Sequence, residues 1–219
     1  MIAEATLRMD RMYRHQRHIY DLSRKFYLLG RDRLIRELMP SPGARICEIG
    51  CGTGRNLVAL AKRYPQAEIF GIDASHEMLK TAKATIARAG LTERVRIACC
   101  LAEELDPAGT FGLDASFDAI LFSYTLSMIP DWGRAIDRAV AVLRPAGTLA
   151  IVDFSGQRRL PRWFRGLLRR WLACFDVTPR AGLPDRLHAL AEREHGSLRV
   201  EPLYRDYACL LRYDRPAPL

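Results

Sequence analysis

No run of eighteen apolar residues occurs in the 219-residue chain, so the sequence offers no segment suited to crossing a bilayer as a helix. The opening "MIAEATLRMD" lacks the basic-then-apolar pattern of a secretory signal, and a cytoplasmic protein is expected. Six cysteines, at 47, 51, 99, 100, 174 and 209, make neither a paired CxxC set nor a metal-ligand spacing with histidine. Reduced structural thiols are expected, and no metal. Repeats, low-complexity tracts and long linkers are also missing. With 49% hydrophobic and 27% charged residues, that leaves one cored domain over 1–219 as the expectation.

Positive charge is abundant, and it is unevenly placed. Residues 1–36 carry nine cations against four acids, and Arg158–Phe175 carries six arginines and no acid. These two segments exceed the whole net charge of +9, so the remainder is slightly acidic. Such clustering implies one basic surface facing something anionic: nucleic acid, membrane lipid or an acidic substrate. In the second segment, "RRLPRWFRGLLRRWLACF", Leu160, Trp163, Phe164, Leu167, Leu168, Trp171, Leu172 and Phe175 recur at helical spacing. Two readings fit: a helix packed on its own domain with a solvated basic face, or one lying on an anionic membrane.

The middle of the chain alternates strand-like and helix-like segments. Strands are expected at 45–50, 68–73, 94–100, 117–125 and 148–154. Helices are expected over 55–64, from the Ser75 cap to Gly90, over 131–143 ending at Pro145 and Gly147, and near 185–195. The pattern is a parallel sheet wound with helices. "LRVEPLY" and "YACLLRY" suit an antiparallel pair at a sheet edge.

Between the first strand and its helix stands "EIGCGTGRN", with Glu48 inside the strand end and Gly50, Gly52 and Gly54 in the turn. Glycines here let the backbone turn sharply and approach a ligand beside helix N–H groups. The spacing is G-x-G-x-G, which makes a nicotinamide dinucleotide the weaker reading. Asp73 ends the second strand, where a carboxylate can accept both hydroxyls of a ribose. Adenosine is implied.

These motifs resemble those of the class I S-adenosylmethionine (AdoMet) methyltransferases, and the resemblance covers about residues 40–155. It implies a Rossmann-like α/β fold: a mostly parallel doubly wound sheet with an antiparallel C-terminal edge hairpin and an N-terminal helical cap over 1–38. It places Gly50 and Gly52 against the methionine part and Asp73 on the ribose. Ala74 and Met78 fall near the adenine, Ala102 and Glu103 on its edge, and Ser123 and Tyr124 toward the reacting methyl. Plainer roles stand beside these: Gly54 for helix packing, Glu103 as a solvated loop acid, Met78 as core. The run "FSYTLSMIPDW" lacks the Pro-Pro-aromatic sequence of nucleic-acid amino-methyltransferases, which argues against a nucleic-acid substrate.

Before the glycine loop, "MYRHQRHIYDLSRKFYLLGRD" repeats an apolar-aromatic pair every seven residues, which sets Tyr13, Tyr20 and Tyr27 along one helical side. This run and the closing "YRDYACLLRY" resemble the bacterial betaine-lipid N-methyltransferases. That resemblance implies three methylations of diacylglycerylhomoserine to diacylglyceryl-N,N,N-trimethylhomoserine, by a peripheral protein on the inner face of the membrane. Six arginines and a length of about 24 Å would keep Leu160–Phe175 on the surface of a bilayer core of about 30 Å. By analogy with small-amine methyltransferases, Tyr20 would cover the sulfonium and Arg31 would pair with the AdoMet carboxylate. His15, His18 and Tyr20 are candidate proton acceptors. Tyr13, Tyr124, Tyr204 and Tyr207 are candidates for an aromatic cage around the growing cation, with Arg or His for the substrate carboxylate. A phosphatidylethanolamine N-methyltransferase, or a noncatalytic AdoMet- or nucleic-acid-binding protein, are the alternatives.

Overall fold

The computed structural model describes residues 28–217. Most of the expected N-terminal cap, with Tyr13, His15, His18, Tyr20 and Tyr27, lies outside the described residues.

The elements run α1 (Arg31–Arg36), β1 (Arg45–Ile49), α2 (Arg55–Arg63), β2 (Glu68–Asp73), α3 (His76–Arg88), β3 (Val95–Cys99), α4 (Pro107–Phe111), β4 (Phe117–Ser123), α5 (Trp132–Ala141), β5 (Leu143–Phe154), α6 (Arg162–Ala173), α7 (Leu183–Glu194), β6 (Ser197–Leu203) and β7 (Ala208–Asp214). The seven strands form one sheet in the order β3-β2-β1-β4-β5-β7-β6. The first five are parallel, and β7 lies antiparallel between β5 and β6. This is the expected Rossmann-like sheet with its antiparallel edge hairpin.

Central strands are apolar on both faces because helices cover both. Ile46, Ile69, Leu121 and Val152 face a core shared with α1, α2, α3 and α6. Their neighbours Cys47, Phe70, Phe122 and Ile151 face a second core with α5 and α7. The alternation follows the two-residue period of a strand. Helix α3 starts where its cap was read: Ser75 Oγ accepts the Met78 amide at 3.3 Å.

Three boundaries differ from expectation. Strand β5 begins at Leu143, and the expected helix stop at Pro145 and Gly147 is a bulge within that strand. There Ala146 takes a positive φ of 58°, a conformation that bends the strand out of register. Helix α6 is shorter than 158–175 because Pro161 opens it and cannot continue a helix backward. The link from β3 to β4 holds a 3-10 turn (Ala102–Glu104) and α4, where no helix was read.

A cofactor crevice at the C-terminal ends of β1 and β4

The glycine loop is built against the end of β2. Gly50 and Cys51 amides both donate to the Ile72 carbonyl, at 2.8 and 2.9 Å, which folds the chain back after β1. Gly50 has φ 72°, and a Cβ there would lie 2.2 Å from Thr125 Cγ2, so conformation and clearance both demand glycine. Asp73 braces the loop: its Oδ2 accepts the Gly52 amide at 2.8 Å and its Oδ1 the Ser75 amide at 2.9 Å. A carboxylate oxygen can accept more than one hydrogen bond, as a bound ribose hydroxyl would require. Gly54 makes a different contact from Gly50. A Cβ there would meet Ala82 of α3 at 3.2 Å, so this glycine serves the close approach of two helices, the plainer role read for it.

The crevice has a volume of about 250 Å³, and Arg31, Glu48, Gly50, Gly52, Asn56 and Ser123 are in its wall. Glu48 is buried and its Oε1 accepts from Asn56 Nδ2 at 2.7 Å. Asn56 was not read as a site residue. Its signal was the amide two residues past the last loop glycine, on the inward side of the first helical turn. Ser123 Oγ is buried and has no hydrogen-bond partner among the described residues. An unpartnered hydroxyl in a crevice wall is costly unless something else supplies the bond.

Arg31 reaches the crevice because the short α1 is fastened on three sides. Gly30, with φ 89°, lies so close to the sheet edge that a Cβ would sit 2.7 Å from Leu203 Cδ1. Arg33 grips Glu201 of β6 with two bonds of 2.6 and 2.7 Å. Asp32 pairs with Arg55 of α2 at 2.8 Å, and Arg212 of β7 donates to the Glu37 carbonyl at 3.0 Å. The Arg31 guanidinium, the Asp73 carboxylate and the Ser123 hydroxyl, which has no partner among the described residues, are chemically suited to AdoMet: a carboxylate, a ribose and polar atoms between them. On the neighbouring strands, Ala74 and Met78 follow β2, and Ala102 and Glu103 form the turn after β3. Met78 and Ala102 are buried and Glu103 is half-buried. Asp73 and Cys99 are register partners, so these residues share one end of the sheet with Asp73.

The tyrosines correct the sequence reading. Tyr124 is 2% exposed, and its hydroxyl donates to the Leu29 carbonyl at 2.6 Å. Burial holds its phenol well above the ordinary tyrosine range, so it is no base near neutrality. Tyr124 and Tyr207 both pack edge-on against one ring, Phe154, at 4.7 and 5.7 Å between centroids. Tyr204 is 55% exposed in the turn between β6 and β7. Tyr124, Tyr204 and Tyr207 therefore form no cage: two of the rings stabilise the core through burial and edge contacts.

Another buried acid went unread. Asp153, in β5, accepts the Phe154 and Ser127 amides at 2.7 and 3.1 Å, and burial pushes its carboxyl up to about 6. Arg180 donates to the Leu126 and Ile129 carbonyls at 3.1 and 2.8 Å. Together they fasten the segment after β4, which carries Thr125 over Gly50. The signal was an ionisable residue inside the apolar run "LAIVDF".

The family model described as "Methyltransferase domain" matches residues 46–147. Trans-aconitate 2-methyltransferase of Deinococcus radiodurans is 32% identical over 120 residues, covering 54% of this chain and 42% of the relative. Phosphatidylethanolamine N-methyltransferase of Cereibacter sphaeroides is 30% identical over 119 residues, covering 54% and 55%. The chain thus spans about half the length of these curated relatives. Among solved structures, the plantazolicin methyltransferase BpumL, in complex with a triazolic desmethylPZN analog and SAH, superposes with a TM-score of 0.67 at 14% identity, covering 98% of both chains. Residues 46–147 thus resemble a methyltransferase domain in sequence, the fold agrees with that of a solved methyltransferase, and AdoMet is the cofactor that the crevice fits.

Proposed function

We propose that the chain methylates the amine of a lipid headgroup at an anionic membrane surface. One observation carries this reading: α6 leaves Trp163 and Leu167 74% and 61% exposed, with Phe164 beside them, among exposed arginines. Apolar side chains ringed by cations suit the interfacial plane of a membrane. The helix follows the C-terminal end of β5, the same end of the sheet as the crevice. Its inner side chains, Leu168 and Leu172, share a core with Leu28 of the crevice wall. Among the described residues no helix is long and apolar enough to cross a membrane.

The similarity of the N-terminal run to betaine-lipid enzymes supports diacylglycerylhomoserine as substrate, in three successive methylations. Bound AdoMet supplies a methyl group on a sulfonium. Arg31 would hold its carboxylate, Asp73 its ribose, and Ser123 a polar group between them. The amine must arrive neutral and in line with the methyl, so its proton leaves to water or a nearby base. Tyr20 over the sulfonium, His18 as proton acceptor, and Tyr13 and His15 at the headgroup complete the proposal, which assigns neither nucleic acid nor metal. The Cereibacter sphaeroides relative favours a second reading, with phosphatidylethanolamine as substrate.

The test incubates the purified protein with labelled AdoMet and vesicles containing either lipid, and identifies products by mass. Additions of one, two and three methyl groups to diacylglycerylhomoserine are expected. Label on phosphatidylethanolamine alone would establish the second reading, and label on neither lipid would overturn both.

A further inference from the structure

Helix α6 contains a gap. Arg162, Gly166 and Arg170 follow one another at four-residue spacing, which puts them in a row along the helix with Gly166 between two cations. The row borders a groove of about 320 Å³ whose other walls are Trp163 and Leu167. A Cβ at Gly166 would meet nothing within 4 Å, so no packing requirement explains the glycine, and in mid-helix it costs about 1 kcal/mol relative to alanine. Pro161 and Ala173 bound the helix to either side, so the glycine terminates nothing. Arg169 of the same helix is engaged, donating to the Gly156 carbonyl at 3.2 Å. Neither the Arg162 nor the Arg170 guanidinium has an ion pair or a side-chain hydrogen bond among the described residues.

We infer that this groove is a binding site for the phosphodiester of an anionic phospholipid, separate from the catalytic crevice. Two guanidinium groups flank the opening and match a phosphate with forked hydrogen bonds. The missing side chain lets the headgroup reach the helix backbone. Trp163 and Leu167 then lie where an acyl chain leaves the headgroup, so one lipid meets charge and apolar surface in the arrangement its own chemistry requires. The inference rests on the membrane-docking reading above and adds to it a site that distinguishes phosphate from other negative charge.

Replacement of Gly166 separates this site from a merely amphipathic helix. Gly166→Leu adds apolar surface and raises helix propensity, so a helix that only partitions into the interface would bind vesicles as well as before or better. A filled groove would bind phospholipid worse. The experiment measures flotation of the full-length chain and its Gly166→Ala and Gly166→Leu variants with neutral galactolipid vesicles. These carry either phosphatidylglycerol or an equal charge of oleate. Expected for the wild type is a preference for phosphatidylglycerol of roughly fivefold, the worth of one cation at the surface. Gly166→Leu should abolish that preference without weakening oleate-vesicle binding, and Arg162→Gln with Arg170→Gln should weaken both. AdoMet affinity, unchanged in all variants, checks the fold. Equal wild-type binding to both vesicles, or an undiminished preference in Gly166→Leu, overturns the site and leaves membrane docking standing. Binding to neither vesicle overturns both.

Discussion

The Tyr124 hydroxyl and the Leu29 carbonyl meet at 2.6 Å across ninety-five positions of sequence. This bond ties the end of β4 to the segment that delivers Arg31, so two walls of the crevice are set by one contact. Tyr124→Phe keeps the ring against Phe154 and removes the bond. Stability should fall by about 1 kcal/mol and the AdoMet Kd should rise by roughly threefold to tenfold. Because burial holds this phenol protonated well past neutrality, the pH–rate profile should keep its shape. A profile that loses one limb in the variant would return Tyr124 to proton transfer.

Asp73 braces the glycine loop and is the proposed ribose acceptor, and a substitution should test both roles. Asp73→Ala removes the ribose acceptor and also the brace on the Gly52 and Ser75 amides. Calorimetry should show AdoMet affinity lower by about tenfold to a hundredfold, since a hydrogen bond to a charged group contributes about 1.5 to 3 kcal/mol. A fall in thermal midpoint without ligand should accompany it. Unchanged affinity would mean that the ribose is held elsewhere.

The buried Asp153 predicts a pH dependence with an unusual sign. Its folded value of about 6 lies above the ordinary 3.8, so between these values the folded state binds the extra proton and stability falls as pH rises. Above about pH 6 the ionised carboxylate costs the fold up to about 3 kcal/mol relative to its protonated form. Urea unfolding of the wild type and Asp153→Asn at pH 4.5 and pH 7 should show the wild type losing stability relative to the variant over that interval. Parallel profiles would place the titration outside this window.

Helix α6 should split cleanly under mutation. Trp163→Ala with Leu167→Ala removes exposed side chains and should change stability by less than about 0.5 kcal/mol, while weakening vesicle binding even at high salt, where charge attraction is screened. Leu172→Ala empties a site that is 1% exposed and should cost about 2 to 5 kcal/mol. If the first pair destabilised the fold as much as the second, the outer face would be packed and the membrane reading would lose its support.

The sheet was legible because its signals are local. Apolar strand runs, the Ser75 cap and the glycine turn each depend on residues a few positions apart. The α6 periodicity identified the apolar face correctly but could not show how much of it the domain covers. That depends on where β5 ends, at Phe154, and on Leu28, which lies far away in sequence. The tyrosines failed for the same reason: Tyr124 and Tyr207 have the composition of a cage, and their shared contact with Phe154 makes them a core. Gly54 shared a motif with Gly50 while serving a different contact, with Ala82 of α3. Asp153 was hidden by its strand, since an acid there reads as a boundary rather than a brace.

Gly30 against Leu203, Arg33 on Glu201 and Arg212 under Glu37 have a consequence for the order of assembly. During synthesis the glycine loop and Asp73 emerge early and can fold with the first strands. Arg31 emerges before them, yet it has no seat until β6 and β7 have left the ribosome and paired beside β5. The cofactor crevice is therefore among the last parts of the nascent chain to mature, and AdoMet affinity reports whether the C-terminal hairpin has closed.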